Sequence, residues 1–319
     1  MQNLLEKINQ KIRSINIPTQ PAELYEPVTY TFSLGGKRMR PVLALLGYSL
    51  YKDDYEKALD AAVALEVFHN FTLLHDDIMD NAPLRRGKPT VWHKWGSSTA
   101  ILSGDAMFIK SYELLSAYEG ALLKKLLPVF NKTALEICEG QQLDMNFETA
   151  ENVSIADYLQ MIELKTAVLL GAALQMGSLV SGATDEDAEN LYEFGKSTGI
   201  AFQLQDDILD VFGETEKVGK QTGGDIISNK KTFLLLKAFE LADKKTTAKL
   251  KLLQSEKNEQ KKVAGVKEIY HQLDVKKLAE KEMQKFYKKA LSSLEKVNTD
   301  SKKKKVLTDF TEQLMHREN

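Results

Sequence analysis

The sequence predicts an all-α fold, and two observations carry that expectation. All seven prolines lie at or before Pro128, and Gly265 is the only glycine after Gly224, so the second half lacks the breakers that strand-rich folds need at their turns. Apolar residues also recur at three-and-four spacing through Asp53 to Asp80, Leu122 to Phe147, Ile155 to Ser181 and Asp185 to Phe212, which is the signature of long amphipathic helices. The N-terminal MQNLLEKINQKIRSINI shows the same spacing. Interruptions are expected at Ser33 to Arg38, Asn81 to Lys94, Ala150 to Val153, Gly182 to Asp185 and Gly213 to Asn229, where glycine, proline and polar residues gather. None of these looks like an interdomain linker, so residues 1–319 are expected to form one domain. No repeat of solenoid length and no sustained heptad is visible.

Composition narrows the function. The 319 residues carry 43 Lys and Arg against 45 Asp and Glu, a net charge of -2, without the cationic excess of general nucleic-acid or anionic-membrane binders. Any anion site must be a local cluster. No uninterrupted apolar run of membrane-spanning length is read, so no stable membrane insertion is expected. The single cysteine, Cys138, excludes an internal disulfide and a multi-cysteine zinc site, and fits a reducing compartment. The N-terminus lacks a basic start followed by an apolar block, which makes the cytoplasm the expected location. The lysine-rich stretch Lys261 to Lys305 reads as a solvated helix face.

Two acidic clusters carry the chemistry. LLHDDIMD places Asp76, Asp77 and Asp80 at the end of a long apolar helix, with Asp76 and Asp80 on one face. FQLQDDILD repeats the spacing with Asp206, Asp207 and Asp210, 130 residues later. Carboxylates crowded near a helix C-terminus repel one another and oppose the macrodipole, so a hard divalent cation is the expected counter-charge. Mg²⁺ commonly bridges one or two protein carboxylates to phosphate oxygens, and the clusters therefore predict a phosphate-bearing ligand. Basic residues stand nearby. GGKRMRP offers Lys37, Arg38 and Arg40 after a glycine turn, PLRRGKP offers Arg85 and Arg86, and GETEKVGKQTGGDIISNKKT offers Lys217, Lys220, Lys230 and Lys231 on a loop that could close over a ligand.

These motifs, with ELKTA between them, resemble those of the trans-isoprenyl diphosphate synthases, or polyprenyl synthetases, over nearly the whole chain. The resemblance implies the isoprenoid synthase fold, a bundle of helices around a deep central cavity, usually as a homodimer, with the acidic motifs facing each other at its mouth. It implies that Asp76, Asp80 and Asp206 are direct ligands of a Mg²⁺ cluster, three ions in most members, supported by Asp77, Asp207 and Asp210. Arg85, Lys165, Lys220 and Lys230 are similar to the groups that hold the allylic diphosphate, and Lys37, Arg40, His69 and Arg86 to the isopentenyl diphosphate site. Gln203 and Thr166 would lie near the reacting carbons, and His75 beside the aspartates as a supporting group. The sequel departs from the family pattern where Asn229 replaces a frequent glycine and Leu234 to Leu236 stand where a proline is common.

The implied reaction is a head-to-tail 1'-4 condensation of isopentenyl diphosphate with an allylic diphosphate. In this family the fifth residue before the first aspartate often sets product length. Here it is Phe71, followed by Thr72, with Phe68 about one turn deeper. Helical phase alone nominates Thr72 and Phe68, because Phe71 is turned by roughly 140° from Asp76. A phenylalanine implies a short product, farnesyl (C15) or geranylgeranyl (C20) diphosphate. The uninterrupted DDIMD resembles archaeal-type geranylgeranyl synthases and favours C20. The alternatives are a longer-chain polyprenyl synthase, a noncatalytic regulatory subunit and a class I terpene cyclase. GGKRMRP and the second acidic motif count against the last, and retention of both motifs against a regulatory subunit.

Overall fold

A computed structural model describes residues 2–213 and 223–315. The chain is all-α, and its helices group into two compact units: Met1–Phe130 with Ala173–Glu189, and Asn131–Ala172 with Asn190–Asn319. The first unit holds α1 (Gln2–Arg13), α2 (Ala22–Ser33), α3 (Met39–Ser49), a 3₁₀ turn (Tyr55–Ala58), α4 (Leu59–Met79), a two-stranded hairpin of β1 (Leu84–Arg85) and β2 (Lys88–Pro89), α5 (Val91–Trp95) and α6 (Ser97–Leu115). Next come α7 (Gly120–Thr149), α8 (Ile155–Ile162), a π-helical turn (Glu163–Ala167), α9 (Val168–Ser181) and α10 (Asp185–Phe212). After the undescribed 214–222 come α11 (Gly224–Ile227), α12 (Phe233–Leu241), α13 (Lys244–Gln254), α14 (Glu259–Gln272), α15 (Val275–Lys296) and α16 (Ser301–Met315).

Helix α4 is the centre of the first unit. Ala61 to Phe68 are all buried, which an ordinary amphipathic surface helix would not show, so partners cover it on every side along that stretch. Helix α3 is buried from Pro41 to Tyr48 and meets the Ala173–Glu189 segment backbone to backbone. A Cβ on Gly177 would stand 1.8 Å from the Ala44 carbonyl oxygen, and one on Gly47 2.5 Å from that of Leu174, so glycine is what permits the crossing. In the second unit α8, α10, α12, α14 and α15 enclose one core, including Met161, Leu204, Phe233, Ile269 and Ala279. Helix α8 starts on a capping box. The Ser154 hydroxyl accepts from the Asp157 N–H, and the Asp157 carboxylate accepts from the Ser154 N–H.

Two expectations are refined. The segment Ile155–Ser181 is, at 27 residues, long and apolar enough by length and mean hydropathy to cross a bilayer, although Asp157, Glu163 and Lys165 interrupt it. Its apolarity belongs to the interior, since 78% of its most apolar window is buried. The break expected at Asn81 to Lys94 contains a hairpin that periodicity did not predict. Arg85 pairs with Lys88, and the turn residues Arg86 and Gly87 both have positive φ (54° and 72°), as a two-residue type I′ hairpin requires.

Replacing Gly177 by alanine should lower stability by about 1–3 kcal/mol through overpacking against Ala44. The measurement is the thermal midpoint, and an unchanged midpoint would show that the two backbones separate freely.

Candidate active site

In the first unit the acidic motif lies where α4 ends. Asp76 is half-buried in the last turn, Asp80 is the exposed C-cap residue, and the Asp80 N–H donates to the Asp76 carbonyl at 2.8 Å. Asp77 points inward and is only 3% exposed. It is held by Arg85, whose Nε lies 2.8 and 2.9 Å from its two oxygens and whose Nη2 lies 2.7 Å from Oδ1. Burial raises the Asp77 pKa, and the Arg85 guanidinium opposes that shift. Arg85, expected at a diphosphate, is thus already engaged through Nε and Nη2, so Nη1 is the end it can offer a ligand. His75 meets the Ile101 carbonyl at 3.2 Å through Nε2 and stands edge-on to Phe71.

Opposite charge gathers around His69 on the same helix. Arg40 Nη1 lies 3.0 Å from His69 Nε2, and because a guanidinium only donates, Nε2 accepts and the neutral ring carries its proton on Nδ1. Burial, then Arg40, Arg86, Arg85 and Arg38, hold the His69 pKa well below its ordinary value. Burial also pushes Arg40 down to about 10, and its Nε is buried with no hydrogen-bond partner. An unpartnered guanidinium donor in a crowd of cations is a place for an anion. Arg86 donates to the Gly35 carbonyl and lies flat on Gly36, where a Cβ would come within 2.9 Å of the guanidinium carbon. The hairpin that presents Arg85 and Arg86 is anchored by Thr90 Oγ1 and Trp92 Nε1, each 2.8 Å from the Ala82 carbonyl. Lys37 is exposed on the glycine turn.

Arg38, offered by the sequence as a phosphate donor, is buried instead. Its Nη1 meets Glu66 Oε1 at 2.6 Å, its Nε the Asn9 side-chain oxygen at 3.2 Å, and its Nη2 the Phe32 carbonyl at 3.3 Å. It caps α3 in the left-handed region (φ 51°), so this ion pair fixes the turn that aims Lys37 and Arg40. Glu66, 2% exposed and joined by the Asn70 amide, is a residue that sequence reasoning missed. Its signal was a lone acid within the apolar run Ala61 to Phe68.

The predicted length-determining residues also cluster here. Phe71 and Thr72 are half-buried and Phe68 is buried, with Thr72 Oγ1 bonded back to the His69 carbonyl at 2.9 Å. Phe108 of α6, not singled out by the sequence, stacks on Phe71 with centroids 5.0 Å apart.

In the second unit the later motif closes α10. Asp206 is exposed, while Asp207 is buried and accepts from the Tyr158 hydroxyl and, at 3.4 Å, from Gln203 Nε2. Burial, aided by Asp225, pushes Asp207 up to about 7, with Tyr158, Gln203 and Lys230 opposing. Asp210 accepts from the Asp225 N–H at 3.0 Å, and its carbonyl accepts from the Gly223 N–H at 2.7 Å, so it ties α11 to the end of α10. Lys165 and Thr166 lie half-buried on the π-turn, a feature common at functional sites, and Lys165 pairs with Asp144. Gly140 admits that turn, since a Cβ there would stand 2.2 Å from the Lys165 nitrogen. Lys230 is exposed next to Asn229, which adopts φ 55°. Asparagine tolerates that left-handed conformation, which explains how it replaces glycine there. Lys231 donates to the Phe147 carbonyl and is thereby committed to the end of α7. Lys217 and Lys220 lie outside the described residues.

The donor chemistry of each acidic motif suits a hard divalent ion. Both motifs offer carboxylate oxygens only, and in each the buried member is occupied by protein partners while others remain at the surface. Among the described residues no three or more His, Cys, Asp or Glu side chains are gathered so as to hold a metal ion by themselves. Mg²⁺ takes one or two protein carboxylates and completes its shell with water and phosphate oxygens.

Glu66→Gln should destabilise the protein by about 3–5 kcal/mol, because it leaves the buried Arg38 without a counter-charge. Chemical denaturation measures this. The paired change Glu66→Leu with Arg38→Met should cost less than Glu66→Gln alone, and an additive loss would remove the ion pair from the account.

With this geometry in place, the similarities to other proteins are informative. The polyprenyl synthetase family profile matches residues 21–273. The geranylgeranyl diphosphate synthase of Methanosarcina mazei is 46% identical over 224 residues, covering 70% of this chain and 69% of that protein. That of Sulfolobus acidocaldarius is 37% identical over 97% of this chain and 96% of its own. A crystal structure of a geranylgeranyl pyrophosphate synthase superposes with a TM-score of 0.95 at 45% identity, covering 100% of this chain and 99% of the other. The all-α fold, the two acidic motifs and the match over most of its length make the chain a member of the polyprenyl synthetase family.

Proposed function

We propose that this protein is a geranylgeranyl diphosphate synthase, joining isopentenyl diphosphate to allylic diphosphates up to C20. What carries the reading is Arg40, whose buried, unpartnered Nε stands among other guanidiniums in a member of a family of prenyl transferases. Arg40, with Lys37, Arg86 and neutral His69, holds the diphosphate of isopentenyl diphosphate. His69 orients Arg40 by accepting from it without adding a competing charge or demanding a counter-ion. Arg85, Lys165, Lys220 and Lys230 serve the allylic diphosphate.

Asp76, Asp80 and Asp206 would hold Mg²⁺, which when bound supplies positive charge to the departing diphosphate. Asp77, Asp207 and Asp210 support those residues from within, through the bonds to Arg85, Tyr158 and the Asp225 N–H. The allylic C1–O bond breaks, the diphosphate leaves with the electron pair, and the double bond of isopentenyl diphosphate attacks C1 to form the new C–C bond. The proton lost next goes to the released diphosphate. Because Asp207 accepts from the Gln203 amide nitrogen, the amide oxygen is the end of Gln203 left to face developing positive charge, as is the hydroxyl oxygen of Thr166. Water must be kept out while that charge persists.

Ile101, Leu102 and Ile109 leave an apolar face of α6 exposed at 44%, 59% and 67%, and we assign it to a homodimer contact. The single cysteine, Cys138, is exposed and suits a reducing cytoplasm.

Supplied with isopentenyl diphosphate, Mg²⁺ and C5, C10 or C15 starters in turn, the protein should end at C20 with each, as sized after dephosphorylation. A principal product of another length would reject the assignment. Asp76→Ala and Asp206→Ala should each lower kcat at least about 100-fold with helical content intact. Near-normal turnover in either would remove that residue from the metal site. Ile109→Lys should convert a dimer to monomer by light scattering, and an unchanged mass would place any dimer face elsewhere.

A further inference from the structure

The chain spreads its charge unevenly. Residues 244–319 hold 20 Lys and Arg against 11 Asp and Glu, while residues 1–243 hold 23 against 34, so the net charge of -2 conceals a cationic C-terminal quarter. Helix α15 shows where that charge goes. Its Val275, Ala279, Met283, Ala290 and Leu294 are buried, and the first three enter the core of the second unit. On the opposite side, at about 100° per residue, Lys277, Lys281 and Lys288 fall within roughly 40° of one another, joined by the neutral Gln284 and Ser292. All three lysines are exposed.

The acids beside this stripe are spent on lysines at its flanks. Glu280 lies 3.8 Å from Lys276, Glu282 2.9 Å from Lys285, and Glu193 of α10 3.6 Å from Lys289. Among the described residues no ion pair reaches Lys277, Lys281 or Lys288. Asp274 and Glu295 only mark the two ends of the stripe. Lys304 donates to the Glu295 carbonyl at 3.0 Å and the Tyr287 hydroxyl to Glu312 at 3.2 Å, which holds α16 to α15 and adds the exposed Lys302 near the C-terminal end of α15. Like charges four apart on a helix repel, so an anionic partner would relieve the stripe.

We propose that this lysine stripe of α15 is a docking surface for an anionic membrane. Every Lys or Arg between residues 244 and 316 is lysine, a hydrated point charge, whereas nucleic-acid recognition draws on bidentate arginine and stacking aromatics. A fluid layer of acidic headgroups needs neither, because lipids can gather where the charge is. The stripe has no apolar side chain to insert, so the contact is adsorption that leaves the helix outside the hydrocarbon. Geranylgeranyl diphosphate is itself an anionic amphiphile suited to such a surface. That last point rests on the product reading, but adsorption is measurable without substrate.

The test is co-sedimentation of the full-length protein with vesicles of phosphatidylcholine alone or mixed with phosphatidylglycerol. The wild type should sediment with the mixed vesicles only, and raising the salt from about 0.05 to 0.5 M should release it. The combined change Lys277→Gln, Lys281→Gln and Lys288→Gln should weaken partitioning about 100-fold, at roughly fivefold per lysine. Arginine at the same three positions should preserve it. A charge-matched control, Lys52→Gln with Lys57→Gln and Lys124→Gln on the first unit, should sediment as the wild type does. All of these variants should keep their helical content and their turnover of dissolved substrates. Equal weakening in the control would show that net charge and not the stripe is read, and would overturn the proposal. It also falls if the wild type ignores phosphatidylglycerol. In that case a DNA duplex, or a second copy of the chain, bound by the wild type and lost only in the stripe variant would be the occupant instead.

Discussion

Four guanidiniums crowd around one neutral histidine, and the fold supplies two carboxylates to meet them. Arg38 takes Glu66 and Arg85 takes Asp77. Arg40 and Arg86 are left with neutral protein partners, an imidazole nitrogen and a backbone carbonyl. Holding like charges this close in a partly buried site costs stability unless an anion joins them. The rest of the first unit serves that arrangement. The left-handed Arg38 at the start of α3, the glycine turn before it and the hairpin with Arg86 in its turn all exist to bring cations together. A diphosphate, with several anionic oxygens, is the counter-charge they suit.

The second unit states the complementary problem. Its α10 ends on three aspartates, one buried beneath Tyr158 and Gln203 with its pKa pushed up to about 7 and one spent on the backbone of α11. Each acidic motif thus divides its labour, with buried members fixing the local backbone and side chains and outer members facing solvent. Repeated DDxxD spacing therefore encodes two different jobs within one motif. The π-turn that carries Lys165 and Thr166, made possible by Gly140, is a further local irregularity at positions implicated in chemistry.

Much of this was legible in the sequence for definite reasons. Long helices were visible because their apolar spacing runs unbroken, and α10 occupies Asp185–Phe212 as the periodicity indicated. The acidic motifs were visible because like charges at helical spacing are costly without purpose. The hairpin at Leu84–Pro89 was hidden because two-residue strands leave no alternating pattern, and the fate of Arg38 because nothing local separates an arginine that binds ligand from one that clamps a loop. Phe108 was hidden for a related reason. A ring half-buried on α6 looks like core until the structure shows it stacked on Phe71. The apolar run Ile155–Ser181 shows the converse, since composition alone cannot tell a core helix from a spanning one.

The excess of guanidinium charge is the claim on which the account stands, and calorimetric titration of isopentenyl diphosphate into the wild type and Arg40→Gln addresses it directly. Loss of a charge-assisted, buried hydrogen-bond donor should weaken binding by about 10- to 150-fold. Equal affinity in the two proteins would show that the diphosphate is not held where the arginines converge.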